Sequence, residues 1–200
     1  MKAAGIDLLT LSAHKLGGPP GAGALVLRGG VDVAAVLRGG GQERGRRAGT
    51  ENVPAIAGFG VAAAFALQGL AAEAARLAAL RDRLEDAVRM RVPAAAIHAA
   101  NVVRLPNTSC IGLPGLRGEV QVVSLDLAGV AVSAGAACSS GKVAASHVLA
   151  AMGRDATAAA EAIRVSLGWT TGEADIDRFL EAWTALAARH GLAASVRNVA

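Results

Sequence analysis

Two hundred residues, 53% of them hydrophobic and 18% charged, make a core-forming composition sufficient for one substantial domain or two small ones, and they exclude a disordered chain. Only 2% of the residues are aromatic and none is tyrosine, so the core must be built from Ala, Val, Leu and Ile, without the stacking platforms that single-stranded nucleic acid uses. The net charge of +4 is spread along the chain and is densest in "GQERGRRAGTEN", which reads as arginine usage and excludes a nucleic-acid footprint.

Residues 6–11, "IDLLTL", read as a buried strand and 23–28, "GALVLR", as a second. The loop around "AHKLGGPPGA" joins them, and so short a connection predicts an antiparallel pair. Residues 29–52 contain seven glycines and no sustained period, a loop broken by at most one short element. Asn52 is placed to cap a helix whose first turn holds Pro54, and Pro93 stops that helix after about Arg91. Its second half shows one apolar face, Leu77, Leu80, Leu84 and Val88, with Arg81, Glu85 and Arg89 as spaced ion pairs on another. Its first half contains twenty-one uncharged residues between Glu51 and Glu73, long enough for a bilayer crossing. Alanine and glycine dominate that stretch, Gln68 interrupts it, and it runs straight into the charged amphipathic part. The expectation is therefore a buried interdomain helix and no membrane span.

Beyond Pro93 the texture changes to short elements: "NTSCIGL" and "VAVS" as strands, "EVQVVSLDLAG" and "SHVLAAMG" as helices, and "AIRVSL" as a further strand. Thr170 with Glu173 three residues on reads as a capping box for a last helix that buries Ile176, Phe179, Leu180, Trp183 and Leu186. The whole is an α/β chain with a boundary near residue 70, dividing 1–70 from 71–200.

Three residues carry candidate chemistry. Lys15 is one of three lysines among seventeen arginines, set between a strand and a glycine-rich loop, where an amine and not just a charge is wanted. Cys138 sits in the small-residue loop "SAGAACSSGKVAA", followed by a helix, a setting that lets a thiol stay mobile and reach a substrate. That loop is not a phosphate-binding P-loop: five residues separate Gly135 from "GK" where four are required, and Val143 stands where Ser or Thr would hold magnesium. Cys110, in "TSCIGL", reads as a structural thiol in an apolar strand. Arg164 lies in the apolar strand "AIRVSL", where a guanidinium needs an anion, either a protein carboxylate or a substrate carboxylate. Together, an amine, a thiol and a carboxylate clamp describe a site for an amino acid, with the amine able to hold a carbonyl cofactor as a Schiff base. The four histidines and two cysteines lack close metal-ligand spacing, so no metal is expected, and no G-x-S-x-G elbow marks a serine hydrolase. Two cysteines and no secretory leader point to free thiols in a cytoplasmic protein.

The segments "SAHKLGGPPGAGALVL", "GGGQERGRRAGTENVPAIAGFG", "RLPNTS", "AVSAGAACSSGKVAASHVLAAMG" and "IRVSLGWTTGEADID" resemble, in order, the second half of a cysteine desulfurase of the NifS/IscS group in the class V aminotransferase superfamily. The resemblance implies a type I pyridoxal-phosphate-dependent transferase fold. Residues 1–70 would form the C-terminal part of the large-domain sheet, and 71–200 the small α/β domain with the cysteine loop. It implies a homodimer with pyridoxal 5'-phosphate on Lys15, phosphate contacts from Ser12 and His14, and a contact from Thr50 offered across the dimer. Cys138 would take sulfur from L-cysteine as a persulfide, releasing L-alanine, and Arg164 would bind the substrate carboxylate. The sulfur would pass to an iron–sulfur scaffold or a tRNA-thiolation protein. Two departures stand out. Pro20 replaces a lysine common in relatives, and the family's first half, with its phosphate loop, ring-stacking histidine and ring-nitrogen aspartate, is absent from the sequence. The expectation is thus a truncated or split form, with a catalytically silent half-enzyme and another class V pyridoxal-phosphate enzyme as alternatives.

Overall fold

The computed structural model describes residues 1–135 and 146–192, which fall into two compact units, residues 1–70 and 71–200.

In the first unit, β1 (Leu8–Ser12) and β2 (Gly23–Leu27) form a two-stranded antiparallel ribbon, pairing Leu8 with Leu27 and Ser12 with Gly23. The expected antiparallel pairing is present, but the expected burial is not. Leu8, Leu11, Leu25 and Val26 are exposed, because two strands alone have no third layer to cover either face. The segment to residue 52 holds one 3-10 helix, Gln42–Gly45, as its glycine content anticipates. Asn52 then caps α1 (Val53–Arg91), its Oδ1 accepting from the Ala55 N–H at 3.3 Å.

The first half of α1 departs from expectation as well. It is long and apolar enough to cross a membrane by length and composition, with mean hydropathy 1.8, yet it is not buried: Val53, Ile56, Val61, Phe65, Leu67 and Leu70 are exposed. Among the described residues no layer covers this stripe, and its alanines and glycines offer little surface to recruit one. Near its start the helix does pack locally, for a Cβ on Gly58 would come within 2.8 Å of the Pro19 ring.

The second unit is built on a four-stranded antiparallel sheet in the order β3–β4–β6–β5. Its strands are β3 (Ala96–His98), β4 (Thr108–Gly112), β5 (Ser133–Ala134) and β6 (Ala162–Ser166). The helices are α2 (Gly118–Leu127), α3 (His147–Ala151), α4 (Ala156–Ala160) and α5 (Glu173–Arg189). One sheet face, carrying Ile111, Ile163 and Val165, meets Leu77, Leu84 and Val88 of α1 and the buried stripe of α5, Ile176, Phe179, Leu180, Trp183 and Leu186. Trp183 is fully buried, stacks on Phe179 with ring centroids 6.1 Å apart, and donates from Nε1 to Gln121 Oε1 at 3.0 Å. Gln121 in turn donates to the Leu116 and Glu161 carbonyls, so the polar end of the indole meets a fully satisfied amide.

Three readings need correcting here. Glu85 does pair with Arg89, at 3.4 Å, but it is buried and its main partner is Arg104, which clamps it through two bonds of 2.6 and 2.7 Å. Arg81 pairs with Asp82 and donates to the Leu105 carbonyl instead of joining Glu85. The cap of α5 is formed by Asp175, whose carboxylate accepts from the Gly172 N–H at 2.9 Å, while Thr171 Oγ1 accepts from Gly168 N. The helix thus begins at Glu173, too late for Thr170 to cap it.

Candidate functional site

Lys15 is presented by a knot centred on Ala13. The Ala13 N–H donates to the Ala22 carbonyl at 3.0 Å, and the Ala13 carbonyl accepts from Leu16 and Gly18 at 3.1 and 2.9 Å. Ala13 is thereby fully buried at the end of β1, in a 3-10 turn spanning Ala13–Lys15. The glycines are what allow the fold-back. Gly17 has φ of +88°, and a Cβ on Gly18 would sit 3.1–3.3 Å from Ala13 atoms. With Ala13 turned in, His14 and Lys15 are exposed and Ser12 is half-buried. The turn therefore offers an amine, an imidazole and a hydroxyl within four consecutive residues. That set fits pyridoxal phosphate: the amine can condense with an aldehyde, and the other two groups can donate to phosphate oxygens.

Thr50 also belongs to the first unit, exposed at the end of the arginine-rich loop. That loop is closed by Gln42 Oε1, which accepts from the Gly49 N–H at 3.2 Å, and by the Ala48 N–H donating to the Leu37 carbonyl at 3.1 Å. Ser12, His14 and Lys15 are brought together by one strand and turn, Thr50 is carried separately, and Arg164 belongs to the second unit. Cys138 lies outside the described residues.

Arg164 is placed by β6, in register with Cys110 on β4 and Ser133 on β5. Residues directly opposite in antiparallel strands project from the same face, about 4.5–5.5 Å apart at Cβ. The row continues to β3, where His98 is paired with Cys110. Arg164 is half-buried and forms no hydrogen bond or ion pair with any described residue, and all sixteen aspartates and glutamates of the chain are among those described. Cys110 is a free, half-buried thiol packed against Leu149, Ala159 and Ala162; burial pushes its pKa up, against the lowering effect of the nearby Arg164 charge. The sequence reading of Cys110 as structural holds for its packing, but its place beside Arg164 follows from strand register, which no local pattern in the sequence reports.

The loop leaving β6 is anchored from α1. Arg76 donates to the Thr171, Gly168 and Trp169 carbonyls at 2.6, 3.1 and 3.3 Å while Glu73 holds the same guanidinium at 2.7–2.8 Å. The hydrogen bonds to Glu73 raise the Arg76 pKa and lower that of Glu73. At the same end of β6, the Leu167 N–H donates to the Asn107 carbonyl at 2.8 Å, tying "RLPNTS" to "IRVSLG".

The family model for aminotransferase class-V matches residues 1–179. The chain belongs to the class-V aminotransferase family. Within it, the chain is 52% identical over 176 residues to a cysteine desulfurase of Cereibacter sphaeroides, covering 88% of this chain and 45% of that protein. It is 46% identical over 184 residues to a cysteine desulfurase of Gluconacetobacter diazotrophicus, covering 92% and 46%. Among solved structures, a NifS-like protein from Rickettsia africae superposes with a TM-score of 0.84 at 36% identity, over 94% of this chain and 49% of that one. The chain spans about half the length of the curated relatives it matches. These class-V relatives accord with the NifS-like fold expected from the sequence motifs, and the paired strands, lysine turn and small α/β unit are its described parts.

Proposed function

We propose that this chain carries the lysine, thiol and arginine of a cysteine desulfurase, which converts L-cysteine to L-alanine and leaves the sulfur as a persulfide on Cys138. The observation that carries the reading is Arg164: a half-buried guanidinium in an apolar strand with no aspartate or glutamate partner anywhere in the chain. The lack of such a partner within the chain supports a substrate carboxylate as the anion it meets.

Lys15 would hold pyridoxal 5'-phosphate covalently, with Ser12 and His14 donating to its phosphate and Thr50 offering a phosphate contact across the dimer to the partner's site. When bound, the cofactor supplies an electron sink for the amino acid's carbon skeleton. Arg164 fixes the amino acid by its carboxylate. The Cys138 thiolate attacks the substrate sulfur, so that the carbon–sulfur bond breaks as the sulfur–sulfur bond forms, and the carbon left behind takes up a proton. The product pair is alanine and a protein persulfide, which a second thiol consumes. We assign the sulfur to an iron–sulfur scaffold or thiolation protein, the working assembly to a homodimer, and the location to the cytoplasm. The apolar half of α1 we read as a packing surface and not a membrane span, because the same helix continues into the Glu73–Arg76 pair and the buried Leu77–Val88 face.

The test is to incubate the chain with pyridoxal phosphate, L-cysteine and a thiol reductant, and to measure sulfide and alanine together. Equal amounts of both are expected, and Cys138→Ala is expected to abolish them while leaving cofactor absorbance intact. Loss of the absorbance in that variant would count against the assigned role. Alanine production that persists in it would favour a different class-V reaction, and colourless inactive protein would favour a silent half-enzyme.

A further inference from the structure

His98 ends the edge strand β3 and is 3% exposed, yet neither ring nitrogen has a hydrogen-bond partner among the described residues. Its imidazole occupies the space left by a missing side chain: a Cβ on Gly112 would lie 2.8 Å from His98 Nε2. β3 pairs with β4 over only three residues, Ala96 with Gly112, Ile97 with Ile111 and His98 with Cys110. An edge strand this short depends on its side-chain packing, and here that packing includes a titratable ring with no acceptor for a second proton.

We propose that His98 is a proton-sensitive latch. As the neutral imidazole it lies over Gly112 and holds β3 against β4, and on protonation it leaves that site and β3 detaches from the sheet. The surrounding charges favour this direction. From the connection between α3 and α4, Arg154 places a like charge near the ring, and the adjoining Asp155 spends its carboxylate on the Ala158 N–H at 2.8 Å. From β4 the facing titratable group is Cys110, a neutral thiol whose pKa burial has raised, and next along the row comes the cation Arg164. Among the described residues no carboxylate reaches the ring. Burial first, and Arg154 second, hold the imidazole pKa below its ordinary 6.5. A histidine whose pKa is lowered on folding is protonated first in the unfolded chain. Its contribution is therefore complete above about pH 6.5 and declines as pH falls from there towards the lowered value.

The experiment uses the full chain. Imidazole proton resonances are followed from pH 8 to 4, with His98 assigned by comparison with His98→Phe, and hydrogen exchange at Ala96–His98 is measured at pH 7 and 5 and corrected for the intrinsic rate. His98 is expected to titrate below the ordinary histidine value of 6.5, and protection of β3 is expected to fall at pH 5 while β4 and β6 keep theirs. In His98→Phe and His98→Gln the protection of β3 should not change between the two pH values. Titration of His98 at or above 6.5 would overturn the proposal, and so would a fall in β3 protection of wild-type size in either variant. If neither variant folds, wild-type hydrogen exchange still decides: equal protection of Ala96–His98 at pH 7 and 5 would overturn the proposal.

Discussion

The two units of the chain solve the same problem unequally. Residues 71–200 put a sheet face, α1, α2 and α5 around one core, with Trp183, Leu84, Ile111, Leu113 and Leu180 all but inaccessible to water. Residues 1–70 have a two-stranded ribbon, a glycine-rich loop and an uncovered helix, with Ala13 and Ala55 as their buried apolar side chains. Yet the unit with little core carries four of the six candidate site residues, Ser12, His14, Lys15 and Thr50. The difference teaches that the lysine turn is held by backbone economy, through hydrogen bonds to and from Ala13 and glycines that let the loop close, whereas Arg164 is held by a packed sheet.

The comparison breaks most sharply at Trp183. Trp183→Ala removes a fully buried ring, its stack on Phe179 and the partner of Gln121, and should cost about 3–5 kcal/mol in urea unfolding. Somewhat smaller is Arg104→Ala, which strands the Glu85 carboxylate and should cost about 3 kcal/mol at pH 7. Burial raises the Glu85 pKa, but the Arg104 hydrogen bonds and the Arg104 and Arg89 charges outweigh it, so the net shift is down from 4.5. The stability from this pair is therefore present above about pH 4.5 and lost as pH falls through the lowered value. The destabilisation by Arg104→Ala should shrink correspondingly on acidification, and a destabilisation independent of pH would contradict the pairing. The smallest effect is expected in the first unit: Phe65→Ala, at a side chain 70% exposed, should change stability by no more than about 0.5 kcal/mol. A loss near that of Trp183→Ala would mean that the α1 stripe is covered in solution.

Periodicity made α5 and the second half of α1 legible, since each carries a full apolar face. The strands β1, β4 and β6 were legible from short apolar runs bounded by glycine and proline. β3 escaped because "AIH" is three residues with no alternation, and α4 because "ATAAA" has no apolar face distinct from the rest. The Glu85–Arg104 pair was not legible because Arg104 lies nineteen residues away beyond a turn. The burial of β1 and of the apolar half of α1 was misjudged for one reason: hydrophobic runs report what a segment can pack against, and the covering layer is not among the described residues. Arg164 stood out in the sequence as a charge in an apolar strand, but its neighbours Cys110, Ser133 and His98 come from three separate strands, and register is a tertiary fact.

The central claim is that the turn at Ala13–Lys15 presents the amine that holds the cofactor. The chain has three lysines, Lys2, Lys15 and Lys142, so one measurement separates them. The chain is loaded with pyridoxal phosphate, reduced with borohydride, digested and mapped by mass spectrometry. The reduced pyridoxyl group is predicted on Lys15; its appearance on Lys2 or Lys142, or on no lysine at all, would contradict the account.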